Sequence, residues 1–280
     1  MTFRLASRVL IAGFAAFGST PAVAAIVLKY QFRPGAESRY ALSVENRTEI
    51  RNPVASPQPI VTVMTTAAEM VQRVKAVAGG VATLETRLDR PTVTLLGTQS
   101  ALKHEFAKLL ARTRFNVRVN ERGKIHGIDE ARGVPAEVKR FVASLGQALA
   151  QFQPVFPETG VEIGATWTNT VLAPHALATG DIVTTKIVAT FGYVGPKETS
   201  GRRGESVSVK MEITMGGNVK QAGRVFSVDV KGTGNGEILW DNDTGSVVTS
   251  DISVNLNGAW KSAAMTVEQM SKVTTKLVRQ

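Results

Sequence analysis

Ser206–Met215 alternates without a break. Val207, Val209, Met211, Ile213 and Met215 fall on one side, and Ser206, Ser208, Lys210, Glu212 and Thr214 on the other. A period of two puts apolar side chains on one face of an extended chain and polar ones on the opposite face, whereas on a helix the same residues would scatter around the axis. Arg39–Arg51 behaves likewise, with Tyr40, Leu42, Val44 and Ile50 opposite Arg39, Ser43, Glu45, Arg47, Glu49 and Arg51. Similar strands are predicted over Val61–Val77, Val81–Leu88, Arg114–Val119, Thr184–Val194, Arg224–Trp240, Val247–Trp260 and Met265–Leu277. One dry and one wet face is the antiparallel pattern.

The breaks between these runs carry turn chemistry. Ala78-Gly79-Gly80, Asn120-Glu121-Arg122-Gly123, Gly216-Gly217-Asn218 and Asp241-Asn242-Asp243-Thr244-Gly245 join apolar runs, and Gly, Asn and Asp favour tight hairpins. Gly195–Gly204 reads as a mobile basic hairpin tip. Two segments keep helical spacing instead. Ala101–Arg112 sets Leu102, Phe106, Leu109 and Leu110 on one stripe, and Pro135–Phe152 sets Val138, Phe141, Val142, Leu145, Leu149 and Phe152 on another. The expected fold is therefore α+β and mostly antiparallel β: long curved meander strands with one or two covering helices.

Residues 1–24 look like a secretory leader. A cationic start holding Arg4 and Arg8 precedes the apolar run Val9–Gly18, and Pro21-Ala22-Val23-Ala24-Ala25 supplies small residues for cleavage after Ala24, with Ala25 as the alternative. The expected product is a periplasmic or secreted β-rich domain over residues 25–280. Its two late hairpins, at Asn120–Lys124 and Asp241–Ser246, echo each other. Either the chain is a duplicated unit with halves 25–153 and 154–280, or common hairpin chemistry gives the match. No later apolar run is long enough for a spanning helix. The chain has no cysteine, so disulfides, thiol catalysis and lipid attachment through cysteine are excluded.

The formal charge of +10 favours contact with anionic envelope material, although solubility alone also explains it. Lys103 to Lys124 concentrates cations, and Lys108, Arg112, Arg114 and Arg118 are its surface-binding candidates. The run lacks the regular aromatic interleaving of a base-stacking platform, so nucleic acid is not an expected partner. Gly232, Gly234 and Gly236 fall on the apolar side of the run Phe226–Trp240. They mark either one bent strand with room for close approach of a ligand or element, or a bulge between two strands.

Catalytic patterns are absent. His104, His126 and His175 lack helical ligand spacing, and no Gly-x-Ser-x-Gly occurs. Asp241, Asp243 and Gly245 start like a calcium loop, but the twelfth position is Ile252 and a β-turn accounts for them. No metal or cofactor is expected.

Phe156-Pro157-Glu158-Thr159-Gly160-Val161-Glu162-Ile163-Gly164-Ala165-Thr166-Trp167 resembles the midpoint of a widespread group of exported bacterial β-rich proteins of unknown function. Those proteins commonly read Pro, a few residues, then Val-x-Val-Gly-Asp-Ser/Thr-Trp. Leu28-Lys29-Tyr30, Gly35 to Tyr40 and Gly232 to Gly245 resemble the group's beginning and end. Ala165 stands where the group usually has Asp. The resemblance implies an exported β-rich protein with a helical insert, and carries over no catalytic residue. The expected function is a non-enzymatic binding or envelope-associated protein carrying an apolar or lipid-like ligand. Two alternatives stay open: a structural module docking on another envelope component, and a hydrolase whose catalytic residues are distant in sequence.

Overall fold

The computed structural model describes residues 25–52, 56, 58–96, 107–129, 153–176, 181–221 and 224–280. The leader with Ala24 and the helix expected over Pro135–Phe152 lie outside these residues. Of the other expected helix, residues 107–112 are described and helical, and Leu109 packs against the main core.

Among the described residues eleven strands form one antiparallel sheet. They are β1 (Glu37–Arg51), β2 (Ile60–Ala78), β3 (Val81–Leu96), β4 (Arg114–Asn120), β5 (Ile125–Asp129), β6 (Thr166–Ala176), β7 (Ile182–Thr199), β8 (Arg202–Gln221), β9 (Arg224–Asp241), β10 (Ser246–Lys261) and β11 (Thr266–Arg279). The order is β5-β4-β3-β2-β1-β11-β10-β9-β8-β7-β6. The chain thus builds outward from β1 to one edge, restarts at the other edge with β6, and returns inward until its last strand pairs with its first. That seam runs from Tyr40 opposite Arg279 to Arg51 opposite Glu268. At about 3.3 Å per residue the longest strands span roughly 60 Å.

The alternation assigns the faces as expected. Tyr40, Leu42, Met70, Leu84, Val117, Phe191, Val209, Ile238, Ile252 and Leu277 are buried in one core on the apolar face. Arg39, Arg87, Glu237, Asp251 and Lys276 form ion pairs on the polar face.

Several turn assignments need correction. Gly195–Gly204 is paired strand, not a loop tip: β7 and β8 continue to Thr199 opposite Arg202. The reversal is confined to Ser200 (φ 52°) and Gly201 (φ 72°), the pair of positive φ values that matches right-handed strand twist. Gly216-Gly217-Asn218 is likewise interior to β8. Gly217 lies so close to β7 that a Cβ there would be 2.8 Å from the Ile182 carbonyl oxygen, so it serves close approach rather than a turn. β3 passes Arg90 (φ 50°) and Pro91 through a register shift and runs on to Leu96. β4 pairs only with Val81–Arg87, so among the described residues this part of β3 is an unpaired edge, where a missing N–H breaks no ladder. β5 and β6 are strands beyond those read from the sequence.

β9 is one unbroken strand, which decides between the two readings of its glycines. Neither of its ladders shifts register between Arg224 and Glu237. Gly232, Gly234 and Gly236 share the face of Val228, Val230 and Ile238, and the side chains of Leu256, Val254 and Ile252 on β10 occupy the space over them.

Candidate functional site

Two segments, residues 26–33 and 153–163, cross the apolar face at the end where β1 begins and β11 ends. Together they form a strap. They are joined to each other by paired backbone hydrogen bonds between Ile26 and Val161 (2.9 and 2.8 Å), and Leu28, Tyr30, Phe156 and Val161 enter the main core.

The two echoing hairpins hold this strap. In the first, Asn120 Oδ1 accepts from the N–H groups of Arg122 and Lys124 (both 3.0 Å), which shapes the turn. The Tyr30 N–H donates to the Glu121 carbonyl (2.8 Å) and the Phe156 N–H to the Arg122 carbonyl (2.8 Å). The Arg122 guanidinium donates to the carbonyls of Pro157 and Glu158, each at 2.9 Å. In the second hairpin Asp241 Oδ1 accepts from the N–H groups of Asp243 (3.0 Å) and Thr244 (3.1 Å). Gln31 donates through its side chain to the Asn242 carbonyl (2.9 Å). Asp241 Oδ2 pairs with Arg279 (2.8 Å), which also donates to the Thr244 and Ser246 hydroxyls (both 2.6 Å). The aspartate pattern that began like a calcium loop is thus bound into a turn and an ion pair.

Beneath the strap the aromatic rings lock together. Trp240, with no exposed surface, meets Tyr30 at 4.6 Å and Phe156 at 4.7 Å between ring centroids, both edge-on. Trp167 stacks on Phe191 at 5.8 Å and donates its indole N–H to the Val155 carbonyl (2.6 Å). The Tyr30 hydroxyl donates to the Pro154 carbonyl (3.2 Å).

Beside this cluster lies a cavity of about 360 Å³ between the strap and the apolar face of β1, β2, β3 and β11. Phe32, Tyr40, Met70, Val74, Leu84 and Leu277 give it apolar walls, and Ser38, Gln72, Gln153 and Ser246 add polar groups. Gln153 Oε1 is buried with no hydrogen-bond partner. Arg33 lies exposed at the edge, with no ion pair among the described residues. A pocket with an apolar body, a few convergent polar atoms and this volume is at the small end of ligand sites.

The chain's three tyrosines are Tyr30, Tyr40 and Tyr193. Burial pushes the phenol pKa of Tyr30 well up, and the nearby Tyr40 adds to it. Burial also raises Tyr40, against the Ser38 and Ser246 hydroxyls and the Arg279 charge. Tyr193 rises through burial and through donating to Glu205 at 2.5 Å. A phenol with a raised folded-state pKa stabilises the fold below the unfolded value near 10, and that stability is lost as pH rises. In an absorbance titration, tyrosinate should be absent from the folded protein at pH 10 and should appear in one step with alkaline unfolding. A gradual rise of one residue near pH 10, with the fold intact, would contradict the packing at that ring.

The sequence-predicted surface cations lie on two consecutive elements. Lys108 and Arg112 sit on the helical turn before β4. Arg114 and Arg118 share the polar face of β4. Arg114 is 3.9 Å from Glu85, and Arg118, 3.7 Å from Asp129, lies with its guanidinium over Gly127. His126 is exposed on β5, His175 lies on β6, and His104 is outside the described residues. Among the described residues no three His, Asp or Glu side chains group as metal ligands.

Further along the apolar face, at the end away from the strap, a more open groove of about 530 Å³ is lined by Ile50, Phe226, Trp260, Met265 and Val267, bordered by Arg224 and Gln269. Sequence reasoning missed both hollows. Only the apolar parity of their strand residues was visible.

No protein-family model matches the chain, and no curated protein matches it. Two solved structures are similar to part or most of this chain. One, titled for lipid–protein interactions in lipovitellin, has 12% identity and a TM-score of 0.44 over 89% of this chain, which spans 25% of that protein's length. The other, an outer membrane channel from Pseudomonas putida F1, has 9% identity and a TM-score of 0.27, covering 90% of this chain and 97% of its own. At these values neither likeness carries an argument about function.

Proposed function

We propose that the protein is an exported, non-enzymatic binding protein of the cell envelope, and that it carries an apolar, lipid-like ligand in the cavity beneath the strap. The observation behind this reading is a hollow whose walls are apolar but whose edge holds an unpartnered buried acceptor, Gln153 Oε1, and the unpaired cation Arg33. A ligand with an aliphatic body and a polar, anionic end matches that division. Native mass spectrometry of protein released gently from its host should show an added mass that organic extraction removes. Leu84→Trp, which places a larger ring on the cavity wall, should reduce binding of a fluorescent fatty-acid analogue at least tenfold while circular dichroism stays sheet-like. An apo mass together with no analogue binding sinks the reading.

The open edge of β6 favours a second reading, docking on an envelope protein. Leu172 is 65% exposed there, and among the described residues β6 has a strand partner on one side only. In-cell crosslinking from residue 172 to one reproducible protein is the expected result under that reading.

A further inference from the structure

We propose that the end of the sheet opposite the strap docks on an anionic lipid bilayer. This surface is separate from the strap cavity, and the inference does not depend on what that cavity holds.

Three observations meet at this end. First, the polar face carries exposed aliphatic groups at this end. Over most of the sheet it carries Lys, Arg, Asp, Glu, Ser and Thr. At this end it carries Leu96, Ile182 and Val225, which are 62%, 59% and 53% exposed, and Met270 at 38%. Their placement follows from register: Leu96 stands opposite Val63, Ile182 opposite Ala176, Val225 opposite Lys220, and Met270 opposite Glu49. On the apolar face of the same rim, Ile60 is 60% exposed. A rim with aliphatic groups on both faces has no dry side to turn inward. Exposed aliphatic groups gathered at one end of a sheet mark a candidate contact with a partner or membrane.

Second, the open groove of Ile50, Phe226, Trp260, Met265 and Val267 empties onto this rim. Trp260 is the kind of residue that settles at a headgroup boundary, with an apolar ring and one N–H donor. The adjoining β10–β11 reversal, Ser262-Ala263-Ala264, is small and uncharged, and closes through Ser262 N–H to the Met265 carbonyl (2.9 Å). Such a tip can enter the headgroup layer without burying a charge.

Third, the charges around the rim are complementary to an anionic surface. Lys220, Arg224 and Lys261 stand exposed at strand ends, the Lys220 backbone N–H donating to Asp181 Oδ2 (2.7 Å), and Arg47 and Lys272 face each other across the β1–β11 seam. Asp181, Asp229 and Glu268 are acids of the same rim, and Arg51 is neutralised by Glu49 at 2.8 Å. Cations next to an apolar surface draw it to anionic lipid, and that attraction weakens with salt.

Flotation of the folded protein with vesicles tests this. Mixed phosphatidylcholine–phosphatidylglycerol vesicles should carry the protein upward, and phosphatidylcholine alone should carry at least tenfold less, with the difference shrinking as salt is raised. K220E/R224E/K261E, all at exposed sites, should lose at least tenfold of the bound fraction while keeping the wild-type circular dichroism and fatty-acid-analogue binding. I182S/V225S should weaken flotation at low and high salt alike. Absence of flotation with anionic vesicles overturns the proposal. So does equal flotation of the charge-reversed variant, or crosslinking of the rim to a protein without lipid binding. Because Leu84→Trp leaves the rim intact, it should still float. Loss of analogue binding with retained flotation would count against the cavity alone.

Discussion

Trp240→Ala is expected to lower the unfolding free energy by about 3–5 kcal/mol, the range for removing a large buried aromatic ring. The indole is fully buried and sits edge-on to both Tyr30 and Phe156, one from each half of the strap. Its loss removes packing from β9 and from both crossing segments together, so local collapse cannot easily fill the hole. For a domain of this size each kcal/mol moves the melting temperature by about 2–4 °C, which places the variant on the order of 10 °C below wild type. Trp240→Phe separates ring packing from hydrogen bonding. The Trp240 indole N–H has no partner, so phenylalanine discards an unsatisfied donor while keeping an aromatic edge. Its cost should be near 1 kcal/mol, because the lost ring volume is partly offset by the removed desolvation penalty. Trp260→Ala, on the open groove, is the control and should change stability by much less. Urea titration of the three variants reads the order directly. A loss below about 1 kcal/mol for Trp240→Ala would mean that this ring does not hold the strap.

Strand parity was legible because burial on one face forces it. In β8 and β9 every second residue is apolar over long runs, so both the strands and their inward faces followed from the residues. β6 escaped notice because Thr168, Asn169, Thr170, Ala173 and Pro174 alternate weakly, and as an edge strand it tolerates such a composition. Gly216-Gly217 misled for a physical reason. Glycine is favoured both where the chain reverses and where two backbones press together, and the sequence does not distinguish them. β3 beyond Leu88 was hidden by Pro91, which a central strand rejects and this free edge accepts.

The candidate site was far less visible. Its walls come from a period-two pattern, but its roof comes from segments with no period. Tyr30 and Pro154, joined by one hydrogen bond, are 124 residues apart. The basic run around β4 was visible as a run of cations close in sequence, but their partners were not: Arg114 lies 3.9 Å from Glu85, Arg118 3.7 Å from Asp129, and Arg122 donates to the strap.

The glycines of β9 should give the most discriminating substitution series, because position alone sets the outcome. A Cβ on Gly236 would lie 2.3 Å from the Asp251 carbonyl oxygen and 2.8 Å from the Ile252 Cα. On Gly232 it would lie 2.4 Å from the Asn255 carbonyl oxygen and 2.5 Å from Leu256 Cδ2. Backbone atoms cannot rotate away, so Gly236→Ala and Gly232→Ala should each cost on the order of 3 kcal/mol, the upper end of overpacking effects. At Gly234 the nearest atom is Val254 Cγ2 at 3.0 Å, the tip of a side chain, and the nearest backbone atom is 3.3 Å away. Alanine there also loses less chain entropy on folding than glycine does, which favours it by roughly 0.4–1 kcal/mol. Gly234→Ala should therefore fall within about 1 kcal/mol of wild type. None of the three glycines has a positive φ, so conformational strain does not blur the comparison. Amide exchange adds a spatial readout: the two costly variants should open the β9–β10 ladder selectively around Ile252 and Leu256. Three equal effects would show that glycine's flexibility, and not the closeness of β10, is what these positions require.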